Sequence, residues 1–252
     1  MKPDDPYSRV DYRRLVAWPE RIEREWPFLS GVLGHSGRLL DLGSGTGEHS
    51  RFLASKGFEV VGIDSSPAML AKAGDTPVPP NLAFVEGDLC EVERLTSGQF
   101  DGAICLGNTL PHVRDRRALD RFVAGLRARL RPGAPLVVQV LNYERVFEGG
   151  LRNLPLNFRR DDGEGEVVFL RLMTPRPDGT LVFTPSTLRY RPDGDPPLEV
   201  VATRNVPLVG WRRRELEETL EAGGFRRRDA YGTMADVPFE PGRSPDLVLV
   251  AR

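Results

Sequence analysis

Apolar positions change their spacing along the chain in a regular way. Short runs rich in Val, Leu and Ile occur at Arg38–Gly43, Glu59–Asp64, Leu82–Asp88, Phe100–Leu106 and Pro135–Asn142, and predict buried β-strands. Between them, Glu48–Gly57, Ser66–Gly74 and Asp115–Leu130 read as helices, with Pro67 suited to a first helical turn. Strands alternating with helices imply βαβ units, hence a mostly parallel sheet with right-handed crossovers. Ahead of them, Tyr12–Leu29 reads as a helix broken near Pro19.

From about Val146 to Val206 the helical spacing disappears. Three strand-like runs, "EVVFLRLM", "TLVFTPSTLRYR" and "LEVVATRNV", are separated by the turn "RPDG" at Arg176–Gly179 and "RPDG" again at Arg191–Gly194. This predicts a three-stranded antiparallel sheet inserted into the α/β core. The core resumes with a helix in "RRRELEETLEAGGF", which Gly223 or Gly224 can end, and with strands near Arg227–Gly232 and Asp246–Ala251. The expected organisation is an N-terminal helical lid segment at 1–37, a core at 38–145 and 207–252, and an inserted sheet at 146–206. The insertion either caps an acceptor site or mediates a homodimer.

Composition narrows the function classes. Net charge is −1, which gives no electrostatic pull toward nucleic acid or anionic lipid. Two cysteines, Cys90 and Cys105, provide no disulfide framework, and Cys105 sits in an apolar run as a core residue. No apolar run approaches the roughly 20 residues of a membrane span. A soluble, cytoplasmic protein without a metal site is expected.

The chemistry-bearing stretch is "LLDLGSGTGEHS", which follows a strand and opens a helix. Gly43, Gly45 and Gly47 alternate along it, two residues after Asp41, and Asp64 ends the next strand. Glycines allow a tight turn and close approach of a ligand, and the acid stands where a ribose-binding carboxylate is expected. A dinucleotide site would show GxGxxG, so GxGxG disfavours a dehydrogenase.

These residues, with "GIDSS", "VEGDL", "FDGAICLGN" and "LRPGAPLVVQV" in order, resemble the class I S-adenosylmethionine-dependent methyltransferases. The resemblance implies a Rossmann-like sheet, mostly parallel with the last strand antiparallel, binding S-adenosylmethionine. It assigns the turn residues Gly43, Ser44, Gly45 and Gly47 to the cofactor's amino-acid end. Asp41 would accept from its ammonium, directly or through water. Asp64 would hold the ribose hydroxyls, with Ser65 and Met69 in the same segment, and Asp88 would meet the adenine amino group with Leu89 on the ring. Leu106 would back the methionine arm. In glycine N-methyltransferase-like proteins an arginine before the core reaches the cofactor carboxylate. Arg21 looks like that residue, with Tyr12 as a lid.

"CLGNTLPHV" and "VVQVLNYERV" resemble the acceptor segments of glycine and sarcosine N-methyltransferases. They nominate Asn108, His112 and Tyr143 as acceptor-site residues, with Gln139 and Asn142 as further polar candidates. His112 is expected to take a proton near neutral pH. One departure matters: the arginine that holds glycine's carboxylate in that group is Leu141 here. The leading expectation is methyl transfer to the amine nitrogen of a small molecule. O-methylation with His112 as base is the alternative, as is a non-catalytic cofactor-binding homologue. "GNTLP" in place of an NPPY-like segment disfavours a nucleic-acid methyltransferase.

Overall fold

In the computed structural model, which describes residues 16–160 and 165–252, the alternating pattern becomes a seven-stranded sheet. Tyr12 lies outside the described residues. The strands of this sheet are β1 (Arg38–Leu42), β2 (Glu59–Asp64), β3 (Leu82–Glu86), β4 (Gly102–Cys105), β5 (Leu136–Leu141), β11 (Arg228–Tyr231) and β12 (Asp246–Ala251). The inserted strands are β6 (Asn157–Arg160), β7 (Glu166–Pro175), β8 (Thr180–Tyr190), β9 (Leu198–Thr203) and β10 (Val206–Val209). The helices are α1 (Trp18–Leu33), α2 (Glu48–Ser55), α3 (Pro67–Ala73), α4 (Val92–Leu95), α5 (Arg116–Arg129), α6 (Tyr143–Phe147) and α7 (Arg213–Ala222).

The sheet order is β11-β12-β5-β4-β1-β2-β3, with β12 antiparallel to both of its neighbours. From β1 the chain builds outward one way through β2 and β3, then returns to place β4 and β5 on the other side. The loops after β1 and β4 therefore splay apart at a switch point, where open α/β sheets form their ligand crevice.

Strand alternation sends side chains to two apolar layers. Leu40, Leu42, Ala103, Cys105, Val138 and Val140 meet Phe122 and Leu126 of α5 and Leu216 and Leu220 of α7. On the opposite face, Leu39, Ile104, Val137, Val248 and Val250 pack with Phe28, Leu29 and Leu33 of α1. Each such buried side chain contributes about 1.5–3 kcal/mol. That anchors the C-terminal half of α1 on the sheet. Helix starts follow their caps: Met69 N donates to Ser66 Oγ at 3.1 Å and Ala118 N to Asp115 Oδ1 at 2.8 Å.

Three expectations need correction. Pro19 does not break a helix; it lies in the first turn of α1, where its missing N–H costs nothing, and the proline inside that helix is Pro27. The inserted sheet starts at Asn157 and has five strands, not three. Both unforeseen strands are four residues long: β6 is the polar "NFRR", and β10 carries a proline. Finally, Tyr143–Phe147 is a helix whose Tyr143 and Val146 enter the core, so the expected start of the insertion at Val146 belongs to the α/β unit. No helix among the described residues is long and apolar enough to cross a membrane.

Candidate active site

The turn after β1 is held by its neighbour strand: Gly43 N and Ser44 N both donate to Ile63 O, at 2.7 and 3.0 Å. Gly43 has φ +75°, and a Cβ there would stand 2.2 Å from Thr109 Cγ2. Thr109 belongs to the loop after β4, so the two loops at the switch point touch where Gly43 leaves room. Asp64 ties the next strand end to the same turn. Its Oδ2 accepts from Gly45 N and its Oδ1 from Ser66 N, both at 2.8 Å. Asp41 lies beneath, only 3% exposed, with Oδ2 accepting from Ser50 Oγ at 2.6 Å. Burial pushes its carboxyl above the usual range, against the Ser50 bond and the charge of His49.

The loop after β4 is shaped by one asparagine. Asn108 has φ +65°, a left-handed conformation that asparagine tolerates better than most residues. Its Oδ1 accepts from Leu141 N at 3.0 Å, across to β5. Gly107 N donates to Gln139 Oε1 at 2.8 Å, and Gln139 also bonds the Asp246 side chain at the start of β12. Gln139 thus links the exits of β4 and β5 to the entry of β12. Beyond it, the 3-10 turn Leu110–His112 is covered by β10 of the inserted sheet.

Comparison with known proteins agrees with this geometry. Residues 39–133 match the family model described as a methyltransferase domain. The chain is 36% identical over 141 residues to the glycine/sarcosine N-methyltransferase of Parasynechococcus marenigrum (strain WH8102), covering 54% of this chain and 50% of that protein. It is 43% identical over 105 residues to the trans-aconitate 2-methyltransferase of Deinococcus radiodurans, covering 41% and 37%. The chain spans about half the length of the first of these curated relatives. Its fold matches the S-adenosylmethionine-bound structure of CalS10, an amino pentose methyltransferase from Micromonospora echinaspora, with TM-score 0.70 at 22% identity, covering 96% and 94% of the two chains.

The residues present fit S-adenosylmethionine, the cofactor that the resemblance implies. Ser44 Oγ, in the turn itself, is buried without a hydrogen-bond partner. Asp64, half-buried at the mouth of the turn, accepts from a backbone N–H on each oxygen. Ser65 is exposed beside it, while Met69 is buried at 4% exposure. Asp88 caps the next turn through Cys90 N at 2.8 Å and is otherwise exposed; Leu89 is buried in the first apolar layer. Arg21 donates from Nε to Glu25 Oε1 at 2.8 Å, and its guanidinium lies 5.2 Å from the Trp18 ring. Its terminal amino groups make no other hydrogen bond with the described residues, so the fork that suits a carboxylate is kept.

Several expected roles change. Tyr143 is fully buried, so it touches Asn108 rather than a ligand. Asn142 is also buried and donates to Pro241 O and Ser244 O, both at 2.8 Å, which anchors the loop before β12. Desolvation, then the charge of Arg204, pushes His112 down to about 4, although the residue keeps an exposed edge. His49, in the first turn of α2, has its Nε2 2.8 Å from Glu25 Oε2. Burial would raise the Glu25 carboxyl, but the His49 and Arg21 bonds prevail and hold it below the usual range.

Sequence reasoning missed Glu25, Arg204 and Asp246. Glu25 shares one face of α1 with Arg21, a spacing of four that was available as a signal. Nothing in one sequence placed Arg204 against His112. Asp246 opens a strand whose register with Leu141 became visible only in the sheet.

Proposed function

We propose that the protein transfers a methyl group from S-adenosylmethionine to an amine nitrogen of a small-molecule acceptor. When bound, the cofactor supplies an electrophilic methyl on a sulfonium leaving group. The chain's own work is to bind, orient and exclude water. Asp64 accepts the ribose hydroxyls, Asp88 meets the adenine amino group, and the Arg21 fork takes the carboxylate. Asp41 lends negative charge beneath the ammonium. Leu106, 5% exposed, dries the wall behind the methyl. Asn108, fixed by Leu141 N and Tyr143, presents its amide to the acceptor.

The observation that carries the nitrogen reading is the similarity to glycine/sarcosine N-methyltransferases. A hydroxyl acceptor needs its proton removed as the new bond forms; an amine that binds neutral does not. His112 agrees with that: desolvation pushes its ring down to about 4, which makes it a feeble base. A screen of amines, amino acids and phenols with methyl-labelled cofactor tests the reading. Label on amines is expected; label confined to phenols overturns it and restores His112 as a base.

A further inference from the structure

The inserted sheet joins the α/β core at two places, and they meet at Tyr143. The chain leaves the core through α6, which begins with Tyr143 and ends with Phe147. It is then tied to β7, where Leu154 N donates to Arg171 O at 3.2 Å and Met173 N to Arg152 O at 2.8 Å. The chain returns through β10, Gly210 and the start of α7. Gly210 is buried, and its N donates to Gly179 O at 3.2 Å, in the turn between β7 and β8. A Cβ at Gly210 would stand 2.3 Å from Phe147 Cε2 and 3.0 Å from Tyr143 Cδ1. The returning backbone therefore lies against both rings, an approach that a residue without a Cβ allows. Glu144, beside Tyr143 in α6, bonds the same segment: its Oε1 accepts from Arg213 N, the first residue of α7, at 3.0 Å.

We propose that Gly210 and Glu144 are positioning residues: they seat the Tyr143 ring where the inserted sheet rejoins the core, and through the Tyr143 hydroxyl they set the Asn108 amide. The inference rests on the amine-methylation reading, which puts Asn108 at the acceptor, and deepens it. Tyr143 is wholly buried among close-packed side chains, so a push on its ring is passed to its hydroxyl. That hydroxyl lies 3.0 Å from Asn108 Nδ2 and 3.1 Å from Oδ1. A group that orients a reactant must be held closely, since a misplacement of about 1 Å costs on the order of a hundredfold in rate. The glycine turn after β1 is off this route: its backbone bonds run to Ile63 and Asp64. A disturbance at Gly210 or Glu144 therefore reaches the Asn108 amide and leaves cofactor binding alone. The seating of the inserted sheet is in this way felt at the acceptor wall.

The test reads the Asn108 side-chain amide by heteronuclear NMR in the full chain saturated with S-adenosylhomocysteine. Its resonances are assigned by their loss in Asn108→Asp, and Tyr143→Phe gives the shift that follows loss of the hydroxyl. Gly210→Ala and Glu144→Ala are expected to move the same resonances. Glu144→Gln, which can still accept from Arg213 N, should restore them. Added to Tyr143→Phe, neither alanine should move them further, because the route through the hydroxyl is already cut. S-adenosylhomocysteine affinity should match wild type throughout, which also shows that the variants are folded. Turnover of an amine that takes label should fall several-fold in Gly210→Ala, and no further when Tyr143→Phe is added. Unmoved resonances in the folded alanine variants, or equal shifts with and without the Tyr143 hydroxyl, overturn the proposal. If Gly210→Ala does not fold, Glu144→Ala and Glu144→Gln decide it by the same shifts. Failure of the methylation reading is separate: it shows as absent label on any amine, whatever the Asn108 resonances do.

Discussion

The Tyr143 hydroxyl sits astride the Asn108 amide, 3.0 Å from Nδ2 and 3.1 Å from Oδ1. Tyr143 is wholly buried at the start of α6, and Asn108 stands in a left-handed conformation in the loop after β4. One buried side chain therefore sets the orientation of the amide proposed to face the acceptor. Burial pushes the Tyr143 hydroxyl well above its ordinary pKa, against the lowering effect of the Asn108 bond, so it stays protonated.

Tyr143→Phe keeps the ring in the core and removes this support. The lost hydrogen bond costs about 1 kcal/mol of stability. Turnover should fall several-fold while cofactor affinity stays unchanged. Steady-state kinetics beside cofactor titration checks this, and a parallel loss of cofactor affinity would contradict a positioning role.

Asp64→Asn keeps the shape of the side chain but only one of its two oxygens, so it can accept from Gly45 N or from Ser66 N and not from both. The other position becomes a donor where ribose hydroxyls need an acceptor. Cofactor affinity should drop at least about tenfold, the scale of losing one charge-assisted bond, and the melting temperature should fall with the lost backbone bond. Calorimetric titration decides it; unchanged affinity would remove Asp64 from the site.

Much of this site was legible in the sequence, for a physical reason. The glycine turn and Asp64 are local signals: one strand, one turn, and an acid ending the next strand. What the sequence hid depends on contacts between distant segments. The role of Tyr143 appears only when β4 and β5 lie side by side. His112 looked like a base because its ordinary pKa is near 6.5; its desolvation and the charge of Arg204 on it arise from segments distant in sequence. The short strands β6 and β10 escaped because four residues hold too little periodicity to read, and β10 contains a proline.

Gly43→Ala and Gly107→Ala separate backbone strain from crowding. Both glycines have positive φ, +75° and +71°, so both substitutions cost about 1–2 kcal/mol in backbone strain. At Gly107 the new Cβ meets open space, whereas at Gly43 it collides with Thr109 at 2.2 Å. Gly43→Ala should lower the melting temperature markedly more than Gly107→Ala, measured by thermal unfolding. Equal losses would show that the two loops do not press together at Gly43.

Asp246 predicts a pH-dependent stability. Burial raises its pKa to about 6, above the 3.8 of an unperturbed aspartate, although the Gln139 bond and the charges of Arg21 and Arg24 pull it down; Glu25 pushes it up. Between those values the folded state holds a proton that the unfolded chain has released. Its contribution is therefore full below the unfolded value and is lost as pH rises through about 6. Asp246→Asn removes the cost of a buried charge, on the order of 3 kcal/mol. The variant should be more stable than wild type at pH 7.5, with the difference nearly gone at pH 4. A difference independent of pH, in melting temperature, would contradict this.

The most direct test is methyl transfer from labelled S-adenosylmethionine to matched pairs of an amine and its hydroxyl analogue, followed across pH with mass analysis of the products. The account predicts label on the amine and a rate that rises as that amine loses its proton, without a histidine step near 6.5. Label on the hydroxyl analogue alone, with such a step that disappears in His112→Gln, would contradict it.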